Sequence, residues 1–315
     1  MPGLSARDLA EKAETHTTFA DLETNGGALN EYQLAALKEI VQAESRLLGQ
    51  SKVDYVGQKK GKYDWAGIPQ EILYPVDEHG EVPEAYYTAL STTKVPFECN
   101  DYAGAVPISD TSDRNSLARG TLGSFTMRQA GPALAMDIAK KGLLSDETSL
   151  DPRLAKFDGL ILQAVSHVLD PGTAADIEST LWYYMRLAMP SKYWKDLKNM
   201  RYYCSPNTEA AYIYWLESKT AAPGYQFTLE DNGFRATYHG VPIFPLEEMP
   251  DGTAILTHKD NIIFVMEENV TWEVEREPKK RRFLYHVHCS FDAVYGYEDA
   301  VVIHKNVAVP VAPTT

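Results

Sequence analysis

Hydrophobic positions change their spacing several times along the chain, and each change marks a predicted element. Residues 1–28 are polar and show no period. Thr15, Thr17, Thr18 and Thr24 lead into the breaker Asn25-Gly26-Gly27, which predicts an extended arm. From 29 to 48 the spacing turns helical, with Leu34, Leu37, Ile40, Val41 and Leu48 on one face, Asn30 placed to cap the start and Gly49 to end it. Residues 51–107 carry strand-like runs at Val53-Asp54-Tyr55-Val56 and Lys94-Val95-Pro96-Phe97-Glu98-Cys99. Between them lie Gly57, Gly61, Gly67, Pro69, Pro75, Gly80 and Pro83, with Tyr63, Trp65, Ile68, Tyr74, Tyr86 and Tyr87 spaced among them. The stretch has too few apolar residues for a core of its own. A hairpin-like excursion studded with rings needs another surface to cover it, as a lid or as an arm laid across a neighbouring subunit.

Ser109-Asp110-Thr111-Ser112-Asp113 offers several helix caps, and a long helix is predicted from there to about residue 141. Leu117, Leu122, Phe125, Leu134 and Ile138 supply its apolar positions, and Gly131-Pro132 should kink it. Beyond a turn at Asp158-Gly159, an amphipathic helix is predicted over 174–189, stopped by Pro190. Another opens at Ser205-Pro206-Asn207 and runs through Tyr212, Ile213, Trp215 and Leu216. Short strands follow at 240–244, 254–256 and 262–265. Then come two long ones: Val270, Trp272 and Val274 alternate with Thr271, Glu273, Glu275 and Glu277, and Pro278-Lys279-Lys280-Arg281 makes the turn. On the return strand Phe283, Tyr285, Val287, Cys289 and Phe291 share a face. Val301-Val302-Ile303 closes the fold, and the tail over 307–315 is expected to be loose. Helices and strands mix without regular alternation, so the predicted class is α+β rather than a doubly wound sheet.

Composition narrows the function classes. The 315 residues are 44% hydrophobic and 23% charged, ordinary for a globular protein, with a net charge of -14. No basic stripe is present, which argues against a nucleic-acid-binding module and suits a container wall that should not trap DNA. No apolar run approaches the ~20 residues of a membrane span. Residues 1–5 show no cationic-then-apolar leader, so a cytoplasmic origin is expected. Cys99, Cys204 and Cys289 lie far apart, which favours buried thiols over a disulfide framework or zinc knuckle; a cross-subunit disulfide is the alternative.

Candidates for chemistry are few. No phosphate loop, dinucleotide fingerprint or nucleophile elbow occurs. His286 and His288, two apart on a strand, share a face as metal ligands would, but alternation sends Cys289 to the other side. Polar strand-face histidines are the simpler reading, and no metal, cofactor or catalytic residue is assigned. Asp158 reads as a turn-maker rather than a catalytic acid. Lys59, Lys60 and Lys62 form a basic tip, either solvated or poised for salt bridges between subunits.

Several segments, in order, resemble a known family. They are Gly27-Ala28-Leu29-Asn30-Glu31-Tyr32-Gln33, Glu44-Ser45-Arg46-Leu47-Leu48, Phe157-Asp158-Gly159-Leu160 and Met189-Pro190-Ser191-Lys192-Tyr193-Trp194. Tyr238-His239-Gly240-Val241-Pro242-Ile243, Glu248-Met249-Pro250, Asn261-Ile262-Ile263 and the acidic strand over 271–277 continue the series. Together they resemble the major capsid proteins of tailed bacteriophages with the Hong Kong ninety-seven capsid fold, from Gly27 to Ile303. Trp194 departs from the arginine usual in that family.

The resemblance implies an N-terminal arm and helix over 1–50, an extended β-hairpin loop over 51–109 and a peripheral domain with a long spine helix over 110–175. It further implies an axial domain over 176–268, the peripheral domain's long β-strands over 269–306 and a tail over 307–315. It implies no enzyme but a shell subunit, assembled in a bacterial cytoplasm as homo-pentamers and homo-hexamers of an icosahedral virion capsid around double-stranded DNA. Lys59, Lys60, Lys62, Tyr63, Trp65, Tyr74, Tyr86 and Tyr87 are then candidates for contact between subunits. No long helical segment precedes the arm, so a separate scaffolding protein is expected, with a portal and a possible decoration protein as further partners. Two rival readings are an encapsulin-like nanocompartment shell and, more distantly, a metal-dependent enzyme using His286 and His288.

Overall fold

A computed structural model describes residues 45–67, 73–76, 80–87, 91–109, 122–171, 175–176, 179–194, 196–218, 227–230, 233–267 and 271–308. The chain begins with α1 (Arg46–Gln50), β1 (Lys52–Val56), β2 (Lys60–Gly67), β3 (Ser91–Glu98), β4 (Asn100–Ser109), the long helix α2 (Leu122–Leu144) and α3 (Leu160–Gln163). Next come β5 (Val168–Leu169), β6 (Ala175–Asp176), α4 (Ser179–Ala188), β7 (Met200–Cys204) and α5 (Pro206–Ser218). The remainder is mostly strand: β8 (Phe227–Glu230), β9 (Gly233–Tyr238), β10 (Val241–Pro245), β11 (Ala254–His258) and β12 (Ile262–Glu267). It finishes with β13 (Thr271–Glu277), β14 (Arg282–Tyr295), β15 (Val302–His304) and β16 (Val307–Ala308).

Two sheets organise these strands. The long sheet runs β1-β12-β14-β13, with β4 on the other edge of β14. At 14 residues β14 spans ~46 Å and is its backbone. Its first half alternates because one face alone is covered: Tyr285, Val287 and Cys289 are buried, while His288 is exposed. From Cys289 to Tyr295 every side chain is buried, because both faces are now covered. Helix α2 lies on one of them through Ala135, Ile138, Ala139 and Leu143, a helical stripe of mainly small residues. That stripe lets the helix come close: a Cβ on Gly142 would sit 2.4 Å from Phe264 Cε1.

The second sheet runs β5-β15-β11-β7-β10-β9-β8. Adjacent residues of its central strands serve opposite cores. Tyr203, Phe244, Ile255 and Ile303 join the core under α2, while Tyr202, Ile243, Leu256 and Val302 pack around Trp182. Trp182 is fully buried, edge-on to the rings of Tyr202 at 5.1 Å and Tyr212 at 5.6 Å. A strand buried on both faces carries no polar alternation: β10 is apolar throughout, and β7 is buried at every position including Arg201.

The α+β class, the helix at 206–218 and the 271–291 hairpin match expectation. Other expectations need correction. Ser45 is extended and caps α1, its Oγ accepting from Leu48 N, so no single helix runs over 29–48, and Gly49 lies inside α1; Asn30 is outside the described residues. The long helix continues to Leu144, past Lys141, while its proposed caps at 110–113 are outside the described residues.

Strands β1 and β4, expected within the 51–109 loop, belong to the long sheet, β1 pairing in parallel with β12 and β4 antiparallel with β14. The projecting hairpin is therefore only β2 and β3. Likewise β12, expected with the axial residues, sits in the long sheet, and β15, expected with the long strands, sits in the seven-stranded one. The tail is pinned at its start: β16 pairs with β6, and Val307 is buried. Each difference comes from pairing between residues far apart in sequence, which local spacing does not encode.

Candidate functional site

The hairpin is the most unusual feature. Strands β2 and β3 pair from Lys60↔Glu98 to Gly67↔Ser91. Its root is seated on the molecule's own long sheet, where Tyr63, Val95 and Phe97 pack on Cys99, Ile263, Val265 and Val294. Gly61 lets the Phe97 ring pack directly on the β2 backbone, since a Cβ there would lie 2.4 Å from Phe97 Cζ and displace the ring. Tyr63 hydroxyl donates to Asp54 Oδ2 at 2.9 Å, and burial followed by this bond raises its pKa. The expectation that all these rings lack a partner within the molecule is thus corrected at Tyr63.

Of the lysines, Lys59 reaches Asp101 at 2.6 Å and Glu267 at 3.9 Å, and Lys60 reaches Glu98 at 2.5 Å, all within one chain. These pairs are largely exposed and contribute little to stability. Lys62 is exposed on the same strand, and the Trp65 side chain lies outside the described residues.

Farther along the hairpin the picture reverses. Leu73 is 98% exposed and Tyr87 67%, with Val76 and Tyr86 also exposed. Tyr74 and Tyr86 hold each other at 4.4 Å between ring centroids. Large apolar groups displayed at this level mark a contact surface.

A second apolar display was missed from sequence. On α4 the buried stripe Leu181, Trp182, Met185 is matched on the opposite side by exposed Tyr183, Tyr184 and Leu187, and Tyr214 of α5 is 73% exposed. The signal was present: a helix apolar all round calls for cover on both faces.

The remaining candidates are structural. His286 and His288 do share a face, with ring centroids 6.4 Å apart and His286 Nε2 3.4 Å from Glu275 Oε2. Among the described residues no group of three His, Cys, Asp or Glu is arranged to hold a metal. Cys99, Cys204 and Cys289 are buried free thiols. Burial raises all three, Cys99 to about 12 and Cys289 to about 11. Asp158 accepts from Glu147 N at 3.2 Å, and Gly159 N donates to Ser145 O, so this pair makes the turn that returns the chain to α2.

At the junction of the two sheets Asp299 accepts from Lys192 at 2.5 Å and from Tyr193 hydroxyl at 3.2 Å, with His167 Nε2 at 3.1 Å. Its carboxyl is held below the usual range chiefly by Lys192; burial is the next effect and opposes it, and His167 and Tyr193 add to the lowering. Among the described residues no helix is long and apolar enough to cross a membrane.

A long sheet braced by one helix, a second sheet sharing its core, and a hairpin projecting from the sheet root together define the fold class. The fold is the Hong Kong ninety-seven capsid fold. The chain superposes on a chain of the satellite phage P4 procapsid that includes size determination (Sid) protein, with a TM-score of 0.65 and 14% identity, over 98% of this chain and 99% of that one. It also superposes on the holo-SrpI encapsulin complex of Synechococcus elongatus PCC 7942, with a TM-score of 0.57 and 13% identity, over 84% and 88% of the two chains. In sequence it is 28% identical over 312 residues to "Putative prophage capsid protein YqbE" of Bacillus subtilis (strain 168), across 94% of this chain and 96% of that protein. No protein-family model matches the chain.

Proposed function

We infer that the chain is the major capsid protein of a tailed bacteriophage, a virion shell subunit and not an enzyme. One observation carries this reading: a capsid fold spans nearly the whole chain, and the segment joining β2 and β3 displays Leu73, Tyr86 and Tyr87 to solvent. In the assembly, β2 and β3 with the segment joining them form the extended loop that lies over an adjacent subunit. The long sheet with α2 forms the peripheral domain, and the seven-stranded sheet with α4 and α5 forms the axial domain around fivefold and sixfold axes. Tyr74, Tyr86, Tyr87 and Lys62 are the contact residues this layout favours, with Lys59, Lys60, Tyr63 and Trp65 nearer the root. Pentamers and hexamers would enclose packaged double-stranded DNA, with a scaffolding protein, a portal and a decoration protein as further partners.

The encapsulin similarity favours a second reading, a protein-filled compartment with the same wall. Particles made with the neighbouring genes of the source genome discriminate the two. Nuclease-protected double-stranded DNA supports the phage head, and a stoichiometric protein cargo supports the compartment. Protein that stays monomeric under all these conditions contradicts both.

A further inference from the structure

Asp292 is the one buried carboxylate among the described residues, with 7% exposure. It sits on β14 beneath the hairpin, on the face it shares with Val294, within the small core of Cys99, Ile263 and Val265. Its recorded hydrogen bonds come from two backbone amides. Oδ2 accepts from Glu98 N at 2.9 Å, the last residue of β3, and Oδ1 accepts from Ala293 N at 2.8 Å. No cation among the described residues pairs with it. Of the lysines at the root, Lys59 is engaged by Asp101 and Glu267 and Lys60 by Glu98 at 2.5 Å, and the charge that acts on Asp292, Glu98, is of the same sign. The other groups closing the root are neutral: Cys99 N donates to Lys59 O at 2.7 Å, and Cys99 Sγ lies 3.7 Å from Val265 O.

A buried carboxylate satisfied only by amides and beside a like charge is better solvated when the structure above it opens. We propose that Asp292 is a titratable pin for the hairpin root: uncharged, it leaves the root seated on the long sheet; ionised, it biases the root toward lifting so that water reaches the carboxylate. Burial raises the Asp292 carboxyl, with Glu98 adding to this and the two amide bonds opposing it. The lifted state returns the group to the ordinary value, so the lifted population grows as pH rises from the ordinary aspartate range through the raised one, then levels off. The seat of the extended hairpin is therefore weakest at neutral pH and tightens in mild acid. This is a property of the single subunit and stands apart from shell formation.

Cys99 reports it directly, because its thiol is covered by the root whereas Cys204 and Cys289 are buried in the two larger cores. The soluble full-length subunit is pulsed with N-ethylmaleimide between about pH 4 and about pH 8, and labelling at each cysteine is read by mass spectrometry. Dividing the Cys99 rate by that of an unstructured cysteine peptide at the same pH removes the intrinsic pH dependence of thiol chemistry, and the ratio then reports the opening at Cys99. That ratio is expected to rise with pH and then level off, with Glu98 amide exchange, corrected for its intrinsic rate, rising in parallel. In Asp292→Asn both are expected to lose that dependence. A wild-type ratio that is flat or falls with pH overturns the proposal, and needs no variant to fold. A rise that survives in Asp292→Asn overturns it as well, because another group would then be titrating.

Discussion

Replacing Gly159 by alanine adds one methyl where backbone closes in on three sides. The new Cβ would lie 2.6 Å from the Leu143 carbonyl oxygen, 2.7 Å from its carbon and 2.8 Å from the Ser145 nitrogen. No flexible side-chain end can yield. These atoms form the last turn of α2, closed by Ser145 N to Lys141 O at 3.0 Å and by Gly159 N to Ser145 O at 2.7 Å. Moving either segment disturbs Leu143 and Leu160, both fully buried. Overpacking of this kind costs about 1–3 kcal/mol, and the lost freedom of glycine in the unfolded chain returns about 0.4–1 kcal/mol. The net expectation is a loss of about 1–2 kcal/mol. Gly57 is the control: nothing lies within 4 Å of its Cβ position and its φ is not positive, so Gly57→Ala should gain about 0.4–1 kcal/mol. Urea unfolding of the soluble subunit, followed by tryptophan fluorescence, gives both midpoints with an unchanged slope. A Gly159→Ala protein as stable as wild type would refute the close-approach argument for the Phe157-Asp158-Gly159 turn.

Phe291, 1% exposed and stacked at 4.7 Å on Tyr102, anchors the core under α2, and Phe291→Ala should cost about 3–5 kcal/mol in the same assay. The double change Leu73→Asp with Tyr87→Asp should leave the unfolding midpoint within about 0.5 kcal/mol of wild type, because both side chains are exposed, yet abolish large particles in size-exclusion chromatography. Unchanged particle yield would remove those residues from the contact surface. Asp299 has its pKa depressed in the fold, so its stabilising effect is full at neutral pH and is lost as pH falls through that depressed value. Asp299→Asn should therefore be the less stable protein at neutral pH, with a gap that narrows as pH falls through the depressed value; a gap that does not narrow in acid contradicts the assignment.

What the sequence made legible followed from how many faces of each element are covered. The alternation from Phe283 to Phe291 could be read because β14 has one exposed face over most of that length. The runs at β7 and β10 show no period because cores press on both sides, and their place in a seven-stranded sheet depends on partners far along the chain. The same holds for β1, whose pairing with β12 joins Lys52 to Ile263. At the hairpin, spacing identified the rings but not their fates. Tyr63 is held by Asp54, nine residues earlier, while Tyr87 is left outside. The alternation legible as far as Phe291 does not single out Asp292, whose burial depends on the hairpin folding back over it.

The account rests on the hairpin being completed by another copy of the chain. An icosahedral cryo-electron microscopy reconstruction of particles formed by the full-length protein tests this most directly. It should show closed shells of pentamers and hexamers in which Leu73, Tyr86 and Tyr87 are buried against the neighbouring subunit. Closed shells with those three side chains facing solvent, or a monodisperse monomer under every assembly condition, would contradict it.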